Sequence, residues 1–131
     1  LRPWAPKAPR ATATLALLAV ALGAFGAHGL KGRLDEPTLA IYRTAVDYHM
    51  WHALGLGLIG LLAERQPDAR LIRWAGALMI AGILLFSGSL YALSLTGLRW
   101  LGMITPVGGL CFMVAWGLVA AAHLGKNPRH V

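Results

Sequence analysis

A chain of 131 residues in which 57% are hydrophobic and 13% charged carries about half the charge of an ordinary soluble domain. Mean hydropathy is +0.61, and the formal net charge of +7 is confined to short segments between apolar runs. That placement excludes a nucleic-acid-binding surface and makes the basic residues topology signals and lipid-headgroup contacts.

The 12 Lys and Arg and the 5 Asp and Glu all fall outside Ala11–Leu30, Tyr48–Ala63, Trp74–Leu98 and Trp100–Gly125. A soluble helix marks its wet face with charge, whereas a helix in lipid needs roughly 20 uninterrupted apolar residues. The pattern predicts an all-α fold, a transmembrane antiparallel four-helix bundle. A single domain over 11–125 lies between a Pro-rich basic tail, 1–10, and a C-terminal tail, 126–131.

In chain order, Pro3, Pro6 and Pro9 make the tail irregular at least in part. Arg2, Lys7 and Arg10 precede an apolar run as in a secretory signal. That run is longer than the roughly 7–15 residues of a signal core, so a retained membrane helix over Ala11–Gly29 is expected. Gly23 and Ala27 form a small-xxx-small pair suited to close helix approach. Lys31–Glu36 reads as a turn, with Asp35 or Glu36 capping a helix that has Pro37 in its first turn. The helical pattern then runs through Leu62, amphipathic at first, with Arg43 and Asp47 spaced to pair. At 1.5 Å per residue the segment spans roughly 39 Å, enough for one continuous helix emerging into the interface.

A polar hairpin, Glu64–Arg73, breaks at Pro67 before a third helix over Ile72–Leu98. The tight Thr96–Arg99 connection makes helices three and four antiparallel neighbours. Pro106, with Gly108 and Gly109 behind it, predicts a kink or irregular turn near Thr105. An even number of spans puts both termini on one side, with Arg2, Lys7, Arg10, Arg65, Arg70, Arg73, Lys126 and Arg129. Lys31, Arg33, Arg43 and Arg99 lie opposite, which orients both termini to the cytoplasm.

Polar residues inside the spans are the candidates for chemistry, because lipid makes them expensive. His49 and His52 sit at i, i+3, and His28 belongs to the same outer level, so the three imidazoles form a candidate metal or haem site. HxxH alone lacks the carboxylate of a zinc motif. The plainer reading is an interhelical polar cluster with Tyr48, Asp47, Arg43, Ser87, Ser89, Tyr91 and Thr105, and no cofactor. Ser87 or Ser89 as a nucleophile lacks a base at its depth. Cys111 has no partner for a disulfide or a CxxC site. Trp4, Trp51, Trp74 and Trp100 fall near span ends as interface anchors, and Trp116 lies deeper, as packing.

Four segments in order, Gly23-Ala-Phe-Gly-Ala-His-Gly-Leu30, Tyr42-x-Thr44-Ala-x-x-Tyr48-His49-x-x-His52-Ala-Leu54, Phe86-Ser-Gly-Ser-Leu-Tyr91 and Leu101-Gly-x-Ile-Thr-Pro106-x-Gly-Gly109, resemble the DUF423 family of small bacterial membrane proteins. The resemblance implies a four-helix fold in the bacterial inner membrane and no particular activity. It places the family signature on Gly26, His28, Gly29, Tyr48, His49, His52, Ser87, Gly88, Tyr91, Thr105, Pro106 and Gly109. The expected function is a structural or interaction bundle, or an accessory subunit of a larger membrane complex, with lipid, other membrane subunits or further copies of itself as partners. The alternatives are a small oligomeric transporter of a neutral or anionic solute and a metal- or haem-binding protein. Catalysis is not expected.

Overall fold

The computed structural model describes residues 7–66 and 69–124, and these form an all-helical structure of four rods. The first, α1, is Lys7–Phe25, extended by a π-helical turn over Gly26–Leu30. It begins within the expected basic tail, because a proline such as Pro9 is tolerated in a first helical turn. Residues 1–6, including Trp4, lie outside the described residues, as do Pro67 and the tail with Lys126 and Arg129.

A short connection leads to α2, Glu36–Arg65, which is one unbroken 30-residue helix. Asp35 is its N-cap, accepting the Thr38 amide at 2.9 Å. The Thr38 hydroxyl and amide together hold this carboxyl below the ordinary carboxylate range. Arg43 reaches back to Glu36 at 4.0 Å, rather than forward to Asp47 as its spacing allowed, and this exposed pair adds little.

The third rod, α3, runs Arg70–Thr96 with a π-helical turn at Ile83–Ser87 in its middle. It stops at Gly97, whose φ of 74° is the left-handed conformation that a side chain resists. A 3-10 turn, Arg99–Met103, precedes α4, Thr105–His123. The irregularity expected near Thr105 is therefore the start of a helix. Pro106 lies in its first turn, where a missing N–H costs nothing.

Successive rods pack on one another, α1 on α2, α2 on α3 and α3 on α4. One core joins Leu56, Ile59, Ala75, Met79, Ile83 and Phe112, and a smaller one joins Leu30, Leu39 and Tyr42. Outward-facing side chains are apolar too, since Leu17, Leu61, Leu84, Met103, Leu110 and Met113 are each at least 60% exposed. A surface of that kind suits lipid and not water. The rods containing α1, α3 and α4 are long and apolar enough to cross a membrane. The length of α2 also suffices, but Asp47, Tyr48, His49 and His52 dilute its hydropathy.

The tightest approach is between α3 and α4. A Cβ on Gly108 would strike the backbone of Leu85 and Phe86 in the π turn, and Gly82 faces the Phe112 ring and the Gly108 carbonyl. Backbone cannot yield as a flexible side chain can, so Gly108→Ala is expected to cost about 1–3 kcal/mol. Gly117→Ala, with open space around its Cβ, should be neutral or gain up to about 1 kcal/mol of helix propensity. Thermal unfolding in detergent checks both. At the other end, acidification through the lowered pKa of Asp35 protonates the cap and removes its contribution, which is fully present near neutral pH. Amide exchange at Thr38 should accelerate as pH falls, relative to an Asp35→Asn variant that has no carboxylate to titrate.

Candidate functional site

Two turns of α2 meet two turns of α3 along a polar seam. Ala45 and His49 stand one turn apart on α2, and Ser87 and Tyr91 stand one turn apart on α3. The Ser87 hydroxyl donates to the Ala45 carbonyl at 2.7 Å, both residues being completely buried. The Tyr91 hydroxyl lies 2.8 Å from His49 Nδ1. A neutral imidazole that accepts the phenol proton there carries its own N–H on Nε2, an assignment that follows from the partners. This Nε2 is buried without a hydrogen-bond partner. The backbone of Leu15 in α1 adjoins the ring, so His49 stands where three helices meet.

The seam continues toward α1. Tyr42 is fully buried, its ring 5.4 Å from that of Tyr91, and its hydroxyl donates to the Leu22 carbonyl at 2.5 Å. Gly26 makes this contact possible, since a Cβ there would lie 2.5 Å from the Tyr42 ring. Beside the seam, Ser89 donates to the Phe86 carbonyl at 2.9 Å and lies 2.6 Å from the Thr105 hydroxyl. That contact ties α3 to the first residue of α4.

His52 belongs to a different environment. Its Nδ1–H donates to the Tyr48 carbonyl at 2.8 Å, and its ring stacks on Phe112 with centroids 3.5 Å apart and planes 14° apart. Tyr48 packs on Phe86 and Trp51, and the Trp116 ring tilts against His52 at 6.0 Å. Three residues of helix separate two side chains by about 60°. That angle turns His49 to α3 and His52 to α4.

His28 is exposed within the π turn that ends the first rod. The structure does not bring His28, His49 and His52 together. Among the described residues no cluster of three His, Cys, Asp or Glu side chains is placed to hold a metal ion. Asp47 and Arg43 are also exposed, bordering a small cleft beside Tyr42. Ser87 and Ser89 spend their protons on backbone carbonyls, and among the described residues neither is hydrogen-bonded to a histidine or a carboxylate.

Three participants were invisible to a reading of polar side chains: the carbonyls of Leu22 and Ala45, and the Phe112 face under His52. The usable signal was a small residue opposite a large one, Gly26 facing Tyr42. Within the seam, a double-mutant cycle on His49→Ala and Tyr91→Phe should return a coupling of about 0.6–1.7 kcal/mol, the range of interhelical hydrogen bonds in membranes. Detergent unfolding of the two single variants and the double variant measures it, and strict additivity would remove the bond from the folded state.

Comparison with known proteins places these residues in a family. A model described as a protein of unknown function, DUF423, matches residues 22–109. The UPF0382 membrane protein YwdK of Bacillus subtilis is 51% identical over 93 residues, covering 71% of this chain and 76% of that protein. The UPF0382 membrane proteins SERP0230 of Staphylococcus epidermidis and SH2409 of Staphylococcus haemolyticus are 47% and 45% identical, over 72% and 66% of this chain and 76% and 70% of their own lengths. No solved structure matches. The matched stretch contains Leu22, Tyr42, Ala45, His49, Ser87, Tyr91 and Thr105, the whole of the polar seam. The chain belongs to the DUF423 family and, with its UPF0382 relatives, is a membrane protein of unestablished activity.

Proposed function

We propose that this protein is a four-span structural and interaction bundle of the bacterial inner membrane, with both termini cytoplasmic. In this reading α2 is the fourth span, with Tyr42, His49 and His52 turned toward neighbouring helices and Arg43 and Asp47 exposed near its outer end. The observation that carries the proposal is where the buried hydroxyls go. Tyr42, Ser87 and Ser89 each donate to a backbone carbonyl, and Tyr91 pairs with His49. The Tyr42, Ser87 and Tyr91 contacts hold helices together and Ser89 reaches across to Thr105, so none of these four hydroxyls is left free as a reacting group must be. Thr12 Oγ1, by contrast, is buried without a partner among the described residues, beside a groove between α1 and α2.

The outer surface supports an interaction role. Along α4, Val107, Leu110, Met113 and Val114 are exposed on a helix with no charged side chain. Such a face meets either lipid tails or a helix of another subunit, including a second copy of this chain.

Orientation is tested with single cysteines in a Cys111→Ser background. An impermeant maleimide applied to intact spheroplasts should label Arg33→Cys and spare Arg70→Cys until the membrane is opened. Labelling of both sites, or the reverse pattern, overturns the four-span, cytoplasmic-termini reading. For function, purified protein in liposomes should pass no neutral or anionic solute faster than empty vesicles. Substituting His49 or Tyr91 should lower the unfolding temperature without removing any chemical activity, and solute flux sensitive to His49→Ala would replace the structural reading with transport.

A further inference from the structure

At the end of the bundle that holds Arg10, Arg65 and Arg70, α1 and α3 both rest on α2 but leave a groove between them. Its volume is about 340 Å³, within the range of small-molecule sites. The groove stays open because its lining is largely small: Ala11 on α1, Gly60 and Ala63 on α2, and Gly76 and Ala77 on α3. Arg73 alone among the lining residues is charged. It is exposed and forms no ion pair among the described residues.

From this arrangement, and resting on the membrane-spanning reading above, we propose that the groove binds one phospholipid with a net negative headgroup. An acyl chain lies in the small-residue channel, and the lipid phosphate meets the Arg73 guanidinium. An apolar trough ending in a guanidinium that has no ion pair among the described residues matches the amphipathic order of a lipid, with its chain first and its anion at the end. Arg10, Arg65 and Arg70 surround the same end, and Glu64 is the one described acid near it. That positive field opposes a second copy docking there, since it would bring a like-charged end with it. It attracts an anionic headgroup over a zwitterionic one.

The test is native mass spectrometry of the full chain released from nanodiscs holding equal parts of phosphatidylglycerol and phosphatidylcholine. The wild type is expected to retain one phosphatidylglycerol per chain, favoured about five-fold over phosphatidylcholine, the preference one interfacial arginine supplies. Arg73→Gln should cut the preference to the smaller part that Arg10, Arg65 and Arg70 supply, while leaving some lipid bound, and an undiminished preference overturns the site. Ala77→Trp, which fills the trough, should abolish retention of both lipids. Met113→Ala, on the exposed face of α4, should behave as wild type. Circular dichroism and size exclusion establish that each variant is folded.

Equal retention of the two lipids by the wild type, no retention at all, or a dimer cross-linked through Ala77→Cys in place of bound lipid would each overturn the site. Cysteine labelling reports orientation independently. The lipid site can therefore fail while the membrane bundle stands, and a failure of the bundle is seen directly in the labelling pattern.

Discussion

A polar atom between helices surrounded by hydrocarbon has no water to fall back on, and that constraint fixes how α2 lies against its neighbours. Each unsatisfied group in such a setting costs several kcal/mol. Ser87 must therefore find the Ala45 carbonyl, Tyr91 must find His49, and Tyr42 must find Leu22. All three contacts involve α2, which contributes an acceptor, an imidazole and a hydroxyl. Of the residues that dilute its hydropathy, His49 is the one that pairs by a hydrogen bond with α3. A polar group that a neighbouring helix partners costs less than one that faces lipid.

Backbone geometry serves the same end. The π turn at Ile83–Ser87 widens α3 where Ser87 crosses to α2 and where Leu85 and Phe86 press on Gly108. A π turn inserts one residue into the helix and rotates everything beyond it. Beyond the turn the helix is regular, so Ser87 and Tyr91, spaced i, i+4, both address α2, while Ser89, two residues on from Ser87, addresses Thr105 on α4. A uniform α-helix presents i and i+4 on one stripe. The second π turn, Gly26–Leu30, lies beside Tyr42, where α1 crosses the end of the seam.

The rods were legible in the sequence because absence of charge over a long run is a strong, local signal. The unbroken α2 followed from its length and from Pro37 in its first turn, with the Asp35 cap visible beside it. What could not be read was direction around each axis. His49 and His52 look like one face by spacing, yet a turn of about 60° sends one to Tyr91 and the other to Phe112. The π turns have no composition of their own, and backbone acceptors such as Ala45 leave no trace in a list of polar side chains. Pro106 illustrates the limit well. The expected irregularity is present, but as a 3-10 turn leading into α4, because proline serves a helix start better than a helix middle.

The polar seam contributes specificity more than stability. Interhelical hydrogen bonds in membranes are individually worth about 0.6 kcal/mol on average, so the three contacts on α2 add only a small fraction of what packing supplies. A slip of α3 along α2 by one turn is another matter. It would separate Ser87 from Ala45 and Tyr91 from His49 together, orphaning buried groups at several kcal/mol each. Apolar helices lined with alanine and glycine slide easily, since one small residue packs much like the next.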